Sequence, residues 1–324
     1  MSSILVYALH YDGAFNKNSL GAVSEGARLA GELGGECDVV VVGETAGLSD
    51  ELCASLGRYG ASTVYRVEGP EGLAQPVVDA MAKIISEGGH GYALFGGGLL
   101  GFEIGAGLTA RLDAGVCMEV TSVRVEDGRL VSERPILQDS SVSDVHYRSE
   151  VGVIIGRLNA FEAKETGDAG ATVEDVGVEF EPHSLRANMV TRGEQRGAEV
   201  NIEDADILVA GGRGLGKAEG FEALEELAGA LGGAVAATRA VVDAGWYSYS
   251  AQIGQTGKTV SPKLYVAVGI SGAIQHKVGM QTAGTIIGVN RDPDAPIAEF
   301  ADLVVVGDLF EVGKALLAEL EARG

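Results

Sequence analysis

Short apolar runs, each closed by a turn and followed by a helical stretch, recur along the whole chain and leave few folds open to it. Residues 37–42 (Cys-Asp-Val-Val-Val-Val) and 207–210 (Ile-Leu-Val-Ala) show the pattern best. A run that does not alternate with polar residues fits a strand covered on both faces, as parallel strands are between two helical layers. Further strands are expected at 3–8, 63–67, 92–95, 235–237, 264–268, 285–289 and 303–306. Helices are expected at 19–33, 49–56, 73–86, 101–112, 220–231, 272–278 and 309–321. Alternation of this kind implies α/β architecture with doubly wound parallel sheets. A chain of 324 residues accommodates two such domains, placed at 1–195 and 205–324, with the polar, glycine-bearing stretch 192–198 as linker. Within the first of them the texture changes. Asp127-Gly128 separates two β-like runs at 120–125 and 130–135, a hairpin signal. Residues 138–188 are less regular and are expected to add a few antiparallel or edge strands.

Charge restricts the partners. The chain carries 46 acidic and 24 basic residues, a formal −22. That charge repels nucleic acid and disfavours an anionic membrane surface. Yet 46% hydrophobic residues and a mean hydropathy of +0.17 exclude an acidic disordered chain. The cations divide into 16 Arg and only 8 Lys. Carboxylates in excess with few lysines fit a halophilic cytosol, where salt screens self-repulsion. No signal peptide is visible and no apolar run approaches the roughly 20 residues of a membrane span. Cys37, Cys53 and Cys117 are odd in number and widely spaced, as for buried thiols in a reducing, cytoplasmic setting.

The acids are unevenly spread. Residues 244–291 contain no Asp or Glu, where the chain average predicts roughly seven. The stretch keeps Lys258, Lys263, Lys277, Arg291 and His276. A buried core lacks charges of both signs, whereas an anionic ligand explains missing carboxylates together with retained cations. Glycine turns crowd the same region, at 253–258 and 269–276, and a third lies at 211–216. Turns of this kind after parallel strands meet at the carboxyl edge of a sheet, where open α/β folds bind ligands. Two nucleotide motifs narrowly fail. Gly211 to Lys217 fits G-x-x-x-x-G-K, but Ala218 replaces the magnesium-reaching hydroxyl, and G-x-G-x-x-G is broken at Lys217. No nucleophile elbow occurs, and the five histidines lack metal-ligand spacing. Among them His276 alone has the company of a ligand contact.

These residues resemble the electron transfer flavoprotein alpha-subunit family. The resemblance runs from Ala210 to about Val312 through Gly211-Gly212-Arg213-Gly214, Thr238-Arg239, Val242-Asp243-Ala244-Gly245-Trp246 and Gln252-Ile253-Gly254-Gln255-Thr256-Gly257-Lys258. It continues through Pro262-Lys263-Leu264-Tyr265, the segment 268–276, Asn290-Arg291-Asp292-Pro293 and Gly307-Asp308-Leu309-Phe310. The first domain is similar to the family more loosely, most clearly at 98–114 and the following hairpin, and residues 135–161 depart from the family pattern.

The resemblance implies a C-terminal FAD-binding Rossmann-like (DHS-like) domain, an N-terminal nucleotide-alpha-hydrolase-like domain that contacts a beta subunit, and a heterodimer. It implies FAD contacts at Arg213, Thr238 (where many members have Ser), Arg239 over the flavin ring, Ile253, Gly254, Gln255 and Thr256 at the flavin edge, and Ser271, Gly272, Ala273, Ile274, Gln275 and His276 along the ribityl–diphosphate and pyrimidine end. Asn290, Asp308 and Leu309 would serve the adenosine end, and Asp308 would equally suit the N-cap of the last helix. The family's role is electron carriage from flavoprotein dehydrogenases, such as acyl-CoA dehydrogenases in fatty acid β-oxidation, to a membrane quinone oxidoreductase, without substrate chemistry of its own. The residues agree, since a guanidinium at Arg239 and either a protonated or a hydrogen-bonding imidazole at His276 would favour negative charge on a flavin. The alternative is a non-redox FAD- or nucleotide-binding regulatory or scaffold subunit.

Overall fold

The computed structural model describes residues 2–11, 13–137, 140–190 and 202–323. The chain forms two compact units, Met1–Arg192 and Gly193–Gly324. The expected linker at 192–198 lies outside the described residues.

The first unit is built on a seven-stranded sheet in the order Thr172–Asp175, Thr63–Glu68, Cys37–Gly43, Ile4–Tyr7, Tyr92–Phe95, Gly152–Gly156, Gly115–Val120. Every pairing in it is parallel. Separate apolar clusters cover its two faces. One gathers Ile4, Val6, Val39 and Val41, the other Leu5, Val40 and Val42. Odd and even residues of the same strand are thus both buried, which is why the sequence shows unbroken runs there. A three-stranded antiparallel sheet, Ser141–His146, Arg129–Ile136 and Ser122–Glu126, carries the Asp127-Gly128 hairpin.

One expectation is corrected in this unit. The irregular stretch does supply an antiparallel strand and an edge strand, but Gly152–Gly156 is an interior parallel strand, buried along its length between Tyr92–Phe95 and Gly115–Val120. Its five residues begin and end with glycine, so periodicity alone could not separate it from a loop. Added Cβ atoms explain the glycines. At Gly152 one would lie 2.8 Å from the Tyr92 ring, and at Gly156 one would lie 2.5 Å from the Phe161 ring.

The second unit is a single six-stranded sheet. In chain order its strands are Ile207–Gly211, Ala234–Thr238, Gln252–Ile253, Leu264–Val268, Thr285–Asn290 and Leu303–Val306. All are parallel, and they lie in the sheet in the order 3-2-1-4-5-6. That order reverses direction at the first strand, and in open α/β sheets ligands bind at the carboxyl ends beside such a reversal. Two apolar clusters again cover the faces, one centred on Leu208, Ala210 and Tyr265, the other on Val209, Val266 and Val268. Helices Gly220–Leu231 and Leu309–Arg323 pack on the second cluster through Leu224, Leu227, Leu309, Leu317 and Leu320. The helix expected at 272–278 is shorter, Ile274–Lys277.

Candidate functional site

An open cleft of about 420 Å³ lies at the carboxyl ends of the strands of the second sheet. Its lining comes from the chain at or just past the ends of four of them, including Gly212 and Gly214, Thr238 and Ala240, Gly269 to Ser271, and Asn290 with Asp292. The first strand and the fourth are neighbours, so the turns that follow them also touch. Gly214 N–H donates to the Gly269 carbonyl at 2.9 Å, and Gly212 N–H to the Val268 carbonyl at 3.1 Å. Side chains would not fit between them. A Cβ on Gly214 would stand 2.6 Å from Gly269 Cα, and Gly269 itself holds φ +63°, a conformation that glycine adopts readily and most residues avoid. The glycines that look like a broken dinucleotide motif therefore have a structural job, to let two turns close on each other.

Beyond that stitch the backbone is ready for an anion. The N–H groups of Ser271, Gly272 and Ala273 find no hydrogen-bond partner among the described residues. Successive unpaired N–H groups form an anion-binding concavity. A helix dipole adds little here, because Ile274–Lys277 has only four residues. The other end of the turn is pinned where Ile297 N–H donates to the Ser271 carbonyl at 2.9 Å.

Of the residues expected to contact FAD, the cleft is lined by Arg213, Thr238, Ser271, Ala273, Gln275, His276 and Asn290. Arg213 is exposed and has no ion-pair or hydrogen-bond partner among the described residues. Asn290 spends its amide on the walls, with Nδ2 donating to the Ile270 carbonyl at 2.9 Å and Oδ1 accepting from Asp292 N–H at 3.0 Å. His276 is 7% exposed. Burial pushes its pKa down to about 4, with the Ile253 backbone acting weakly in the opposite sense. The imidazole is therefore neutral near pH 7, so of the two states open from sequence the protonated one is corrected. Its Nδ1 is buried without a hydrogen-bond partner.

The remaining expected residues do not line this cleft. Ile253 is a core residue and Gly254 is buried behind the turn. Gln255 N–H donates to the Gln275 carbonyl at 2.8 Å, so the 253–256 turn abuts the 271–276 turn from outside. The Thr256 hydroxyl accepts from Gln252 Nε2 at 3.2 Å. Arg239 opens the short helix Arg239–Val242 and pairs with Asp243 at 3.1 Å, both side chains largely exposed. Ile274 is exposed, and Gly272 packs against the Ile297 backbone. Asp308 caps the last helix, its Oδ1 accepting from Phe310 and Glu311 N–H at 3.0 and 3.2 Å while Oδ2 pairs with Arg291. The Arg291 guanidinium holds the Asp308 carboxyl below the usual range. Leu309 is buried in the core beneath that helix.

The acid-free window needs a second correction. It does contribute much of the cleft, but its cations are not aimed there. Lys258 pairs with Glu203, Lys263 with Asp206 and Arg291 with Asp308, and Lys277 lies 4.8 Å above the Phe300 ring. The window borrows its counter-charges from carboxylates outside it. Asp292, immediately past its end, lines the cleft with Ala295 and Pro296. Asp292 lies in a motif quoted from the sequence but was not expected to line the site, and no local signal marked Ala295 or Pro296.

The chain matches the electron transfer flavoprotein domain over residues 4–181 and the electron transfer flavoprotein FAD-binding domain over residues 201–281. It is 39% identical over 328 residues to the electron transfer flavoprotein subunit alpha of Mycobacterium leprae, spanning 100% of this chain and 99% of that one. It is 35% identical over 315 residues to the protein of the same name from Bacillus subtilis, spanning 96% and 94%. Protein FixB of Clostridium saccharobutylicum is 36% identical over 326 residues, spanning 98% and 95%.

Proposed function

Because this chain belongs to the electron transfer flavoprotein alpha-subunit family, we propose that the cleft beyond the strands of its second sheet is where it holds FAD. The chain is an electron carrier with an FAD-binding domain, and its family converts no substrate. FAD supplies reversible acceptance of one or two electrons. The protein's part is to seat the cofactor and set its electrostatics.

The single observation that carries the site assignment is the pairing of two features in one cleft. Among the described residues Ser271, Gly272 and Ala273 offer unpaired N–H groups, and Arg213 lines the same cleft with no ion-pair partner. The first suits a diphosphate and the second offers it positive charge. In this reading the 271–273 N–H groups hold the diphosphate, Thr238 and Gln275 border the ring, and His276 hydrogen-bonds to it as a neutral group. Arg213 supplies positive charge, with no carboxylate paired to it among the described residues. Arg239, Ile253, Gly254, Gln255, Thr256 and Ile274 form the outer shell of the ring site, and Gly272 brings the turn close. Asn290, Asp308 and Leu309 act at the adenosine end by fixing the loops and the helix start there.

The working complex is a heterodimer with a beta subunit, reduced by flavoprotein dehydrogenases such as those acting on acyl-CoA and oxidised by a quinone oxidoreductase. No helix among the described residues is long and apolar enough to cross a membrane, so the quinone-linked partner is reached by docking. The test is co-expression with a candidate beta subunit, measurement of FAD content and anaerobic mixing with a dehydrogenase and its acyl-CoA. A stoichiometric FAD absorbance that bleaches under substrate supports the proposal. A complex that holds FAD but exchanges no electrons with any dehydrogenase or dithionite overturns it in favour of a scaffold.

A further inference from the structure

We propose that an aromatic groove between the start of the helix Gly220–Leu231 and the segment Trp246–Tyr247 is a docking site for an arginine side chain presented by a partner protein. None of the residues lining it lines the cofactor cleft.

The groove encloses about 290 Å³, and two pieces of chain build it. Phe221, Leu224 and Leu227 are the buried face of the helix, so Glu222 and Glu225 fall at the edge of that face. The short helix Arg239–Val242 runs into a turn where Gly245 holds φ +73° and Trp246 N–H donates to the Val241 carbonyl at 2.9 Å. The left-handed glycine turns the chain back and lays Trp246 and Tyr247 against the apolar cluster that holds Phe221. Phe221 is buried, and Tyr247 stacks on it with ring centroids 4.4 Å apart and planes 18° from parallel. Tyr247 and Trp246, the single tryptophan of the chain, stay half-buried. The Trp246 indole N–H has no hydrogen-bond partner among the described residues.

Three carboxylates rim these rings. Glu219, Glu222 and Glu225 line the groove at every third position. Side chains so spaced are neighbours on a helix, and like charges there repel. The positive end of the helix relieves Glu222 in the first turn but not Glu225 beyond it. Neither Glu222 nor Glu225 pairs with a cation among the described residues, and Glu219 reaches Lys217 only at 3.9 Å, with both side chains well exposed. The Tyr247 hydroxyl donates to Glu225 Oε1 at 3.3 Å. Burial, and then the Glu225 charge, pushes the Tyr247 pKa up to about 12, so the phenol remains a donor and holds that carboxylate beside the ring. General surface acidity accounts for carboxylates in water. It does not account for their gathering around a half-buried tryptophan and tyrosine.

The chemistry of the walls selects the occupant. Aromatic faces attract a cation, and carboxylates strengthen the attraction. Among the described residues no three acidic, histidine or cysteine side chains converge to hold a metal ion, so the charge belongs on an organic group. A guanidinium is planar, stacks on rings and forks two N–H groups onto a carboxylate, which an ammonium cannot do. The peptide carbonyl that accompanies an arginine gives the Trp246 N–H an acceptor. Position fits the same role. Phe221 follows the turn at 211–216 and Trp246 follows the strand Ala234–Thr238, and both of those border the cofactor cleft. An arginine seated in the groove therefore holds its protein beside the cleft, and a basic partner surface complements a chain of net charge −22. The motif 242–246 displays Trp246 in the sequence without a task, because Phe221 and the glutamates lie far earlier in the chain.

The experiment uses the full chain co-purified with its partner subunit and labelled with fluorotryptophan. The Trp246 ¹⁹F signal is identified by its loss in Trp246→Phe. The probes are a short blocked peptide of glycine and alanine with one central arginine, and the same peptide with citrulline, alike in shape but uncharged. The arginine peptide should shift the Trp246 signal saturably, binding about tenfold more tightly than the citrulline peptide, and less tightly as KCl is raised. Glu222→Gln combined with Glu225→Gln should abolish that preference and leave FAD content unchanged. A Trp246 signal that ignores the arginine peptide overturns the proposal, whether the groove is empty or already covered by the partner subunit. An equal response to citrulline overturns it too, as the mark of a plain apolar groove. So does a preference for arginine that survives loss of both carboxylates. The wild-type contrast between the peptides decides the matter alone if the double variant does not fold.

Discussion

Replacing Gly214 by alanine tests whether the stitch between the two glycine turns holds the cleft in shape. The new Cβ would stand 2.6 Å from Gly269 Cα and 2.8 Å from Gly269 O, both backbone atoms that cannot rotate away. Ordinary carbon contacts need about 3.5–4.0 Å, so the turns must part by about 1 Å. That shift also weakens the hydrogen bond from Gly214 N–H to the Gly269 carbonyl. Overpacking of this kind costs about 1–3 kcal/mol and the lost bond about 1 kcal/mol. A total of about 2–4 kcal/mol corresponds to a fall in Tm of roughly 5–15 °C for a domain of this size. The displaced turn is the one that presents the 271–273 N–H groups, so the FAD dissociation constant should rise at least about tenfold. The assays are differential scanning calorimetry and FAD titration by flavin fluorescence. Gly229→Ala is the control, since it lies in the helix Gly220–Leu231 with nothing within 4 Å of an added Cβ. It should stabilise by about 0.5–1 kcal/mol without changing FAD affinity. A Gly214→Ala protein with wild-type Tm and wild-type affinity would refute the argument that close approach of these turns builds the site.

Asn290→Ala removes the amide that ties Ile270 to Asp292. It should cost about 1–3 kcal/mol by denaturant unfolding and weaken FAD binding, whereas retained affinity would show that the loops hold themselves. Acid should act through His276. An unfolded imidazole gains its proton near pH 6.5, while the buried one resists until about 4. Between those values the unfolded state binds more protons, so stability falls as pH drops through that window, by roughly 3 kcal/mol in all. The measurement is unfolding free energy against pH for wild type and His276→Asn, and parallel curves would contradict it. A chain of net charge −22 should also gain thermal stability between about 0.1 and 2 M KCl as repulsion is screened. Full stability at the lower concentration would remove the halophilic reading.

Much of the second unit was legible because its strands announce themselves. The runs 264–268 and 303–306 and the helix 220–231 coincide with the elements found. Each is long or apolar enough for periodicity to decide. Gly152–Gly156 was not legible, since five residues framed by glycine carry no period, and only its neighbours make it a strand. In the site, the motifs marked the turns correctly but could not rank residues within them. Asp308 and Leu309 are adjacent in one motif, yet one caps a helix and the other fills the core. Charge was the more deceptive signal. The cations of the acid-free window looked like ligand contacts until the fold showed Lys258, Lys263 and Arg291 paired with distant carboxylates.

Residue order alone settled the α/β class, the glycine turns and the kinship to an FAD-binding family. These depend on local pattern, apolar period and turn chemistry, which a linear chain displays directly. Which groups are free to act was decided only by tertiary structure. Among the described residues Arg213 has no partner while Arg239 is paired, and His276 is neutral because it is buried away from water. Availability and protonation depend on what surrounds a group in three dimensions, and residues far apart in sequence supply those surroundings.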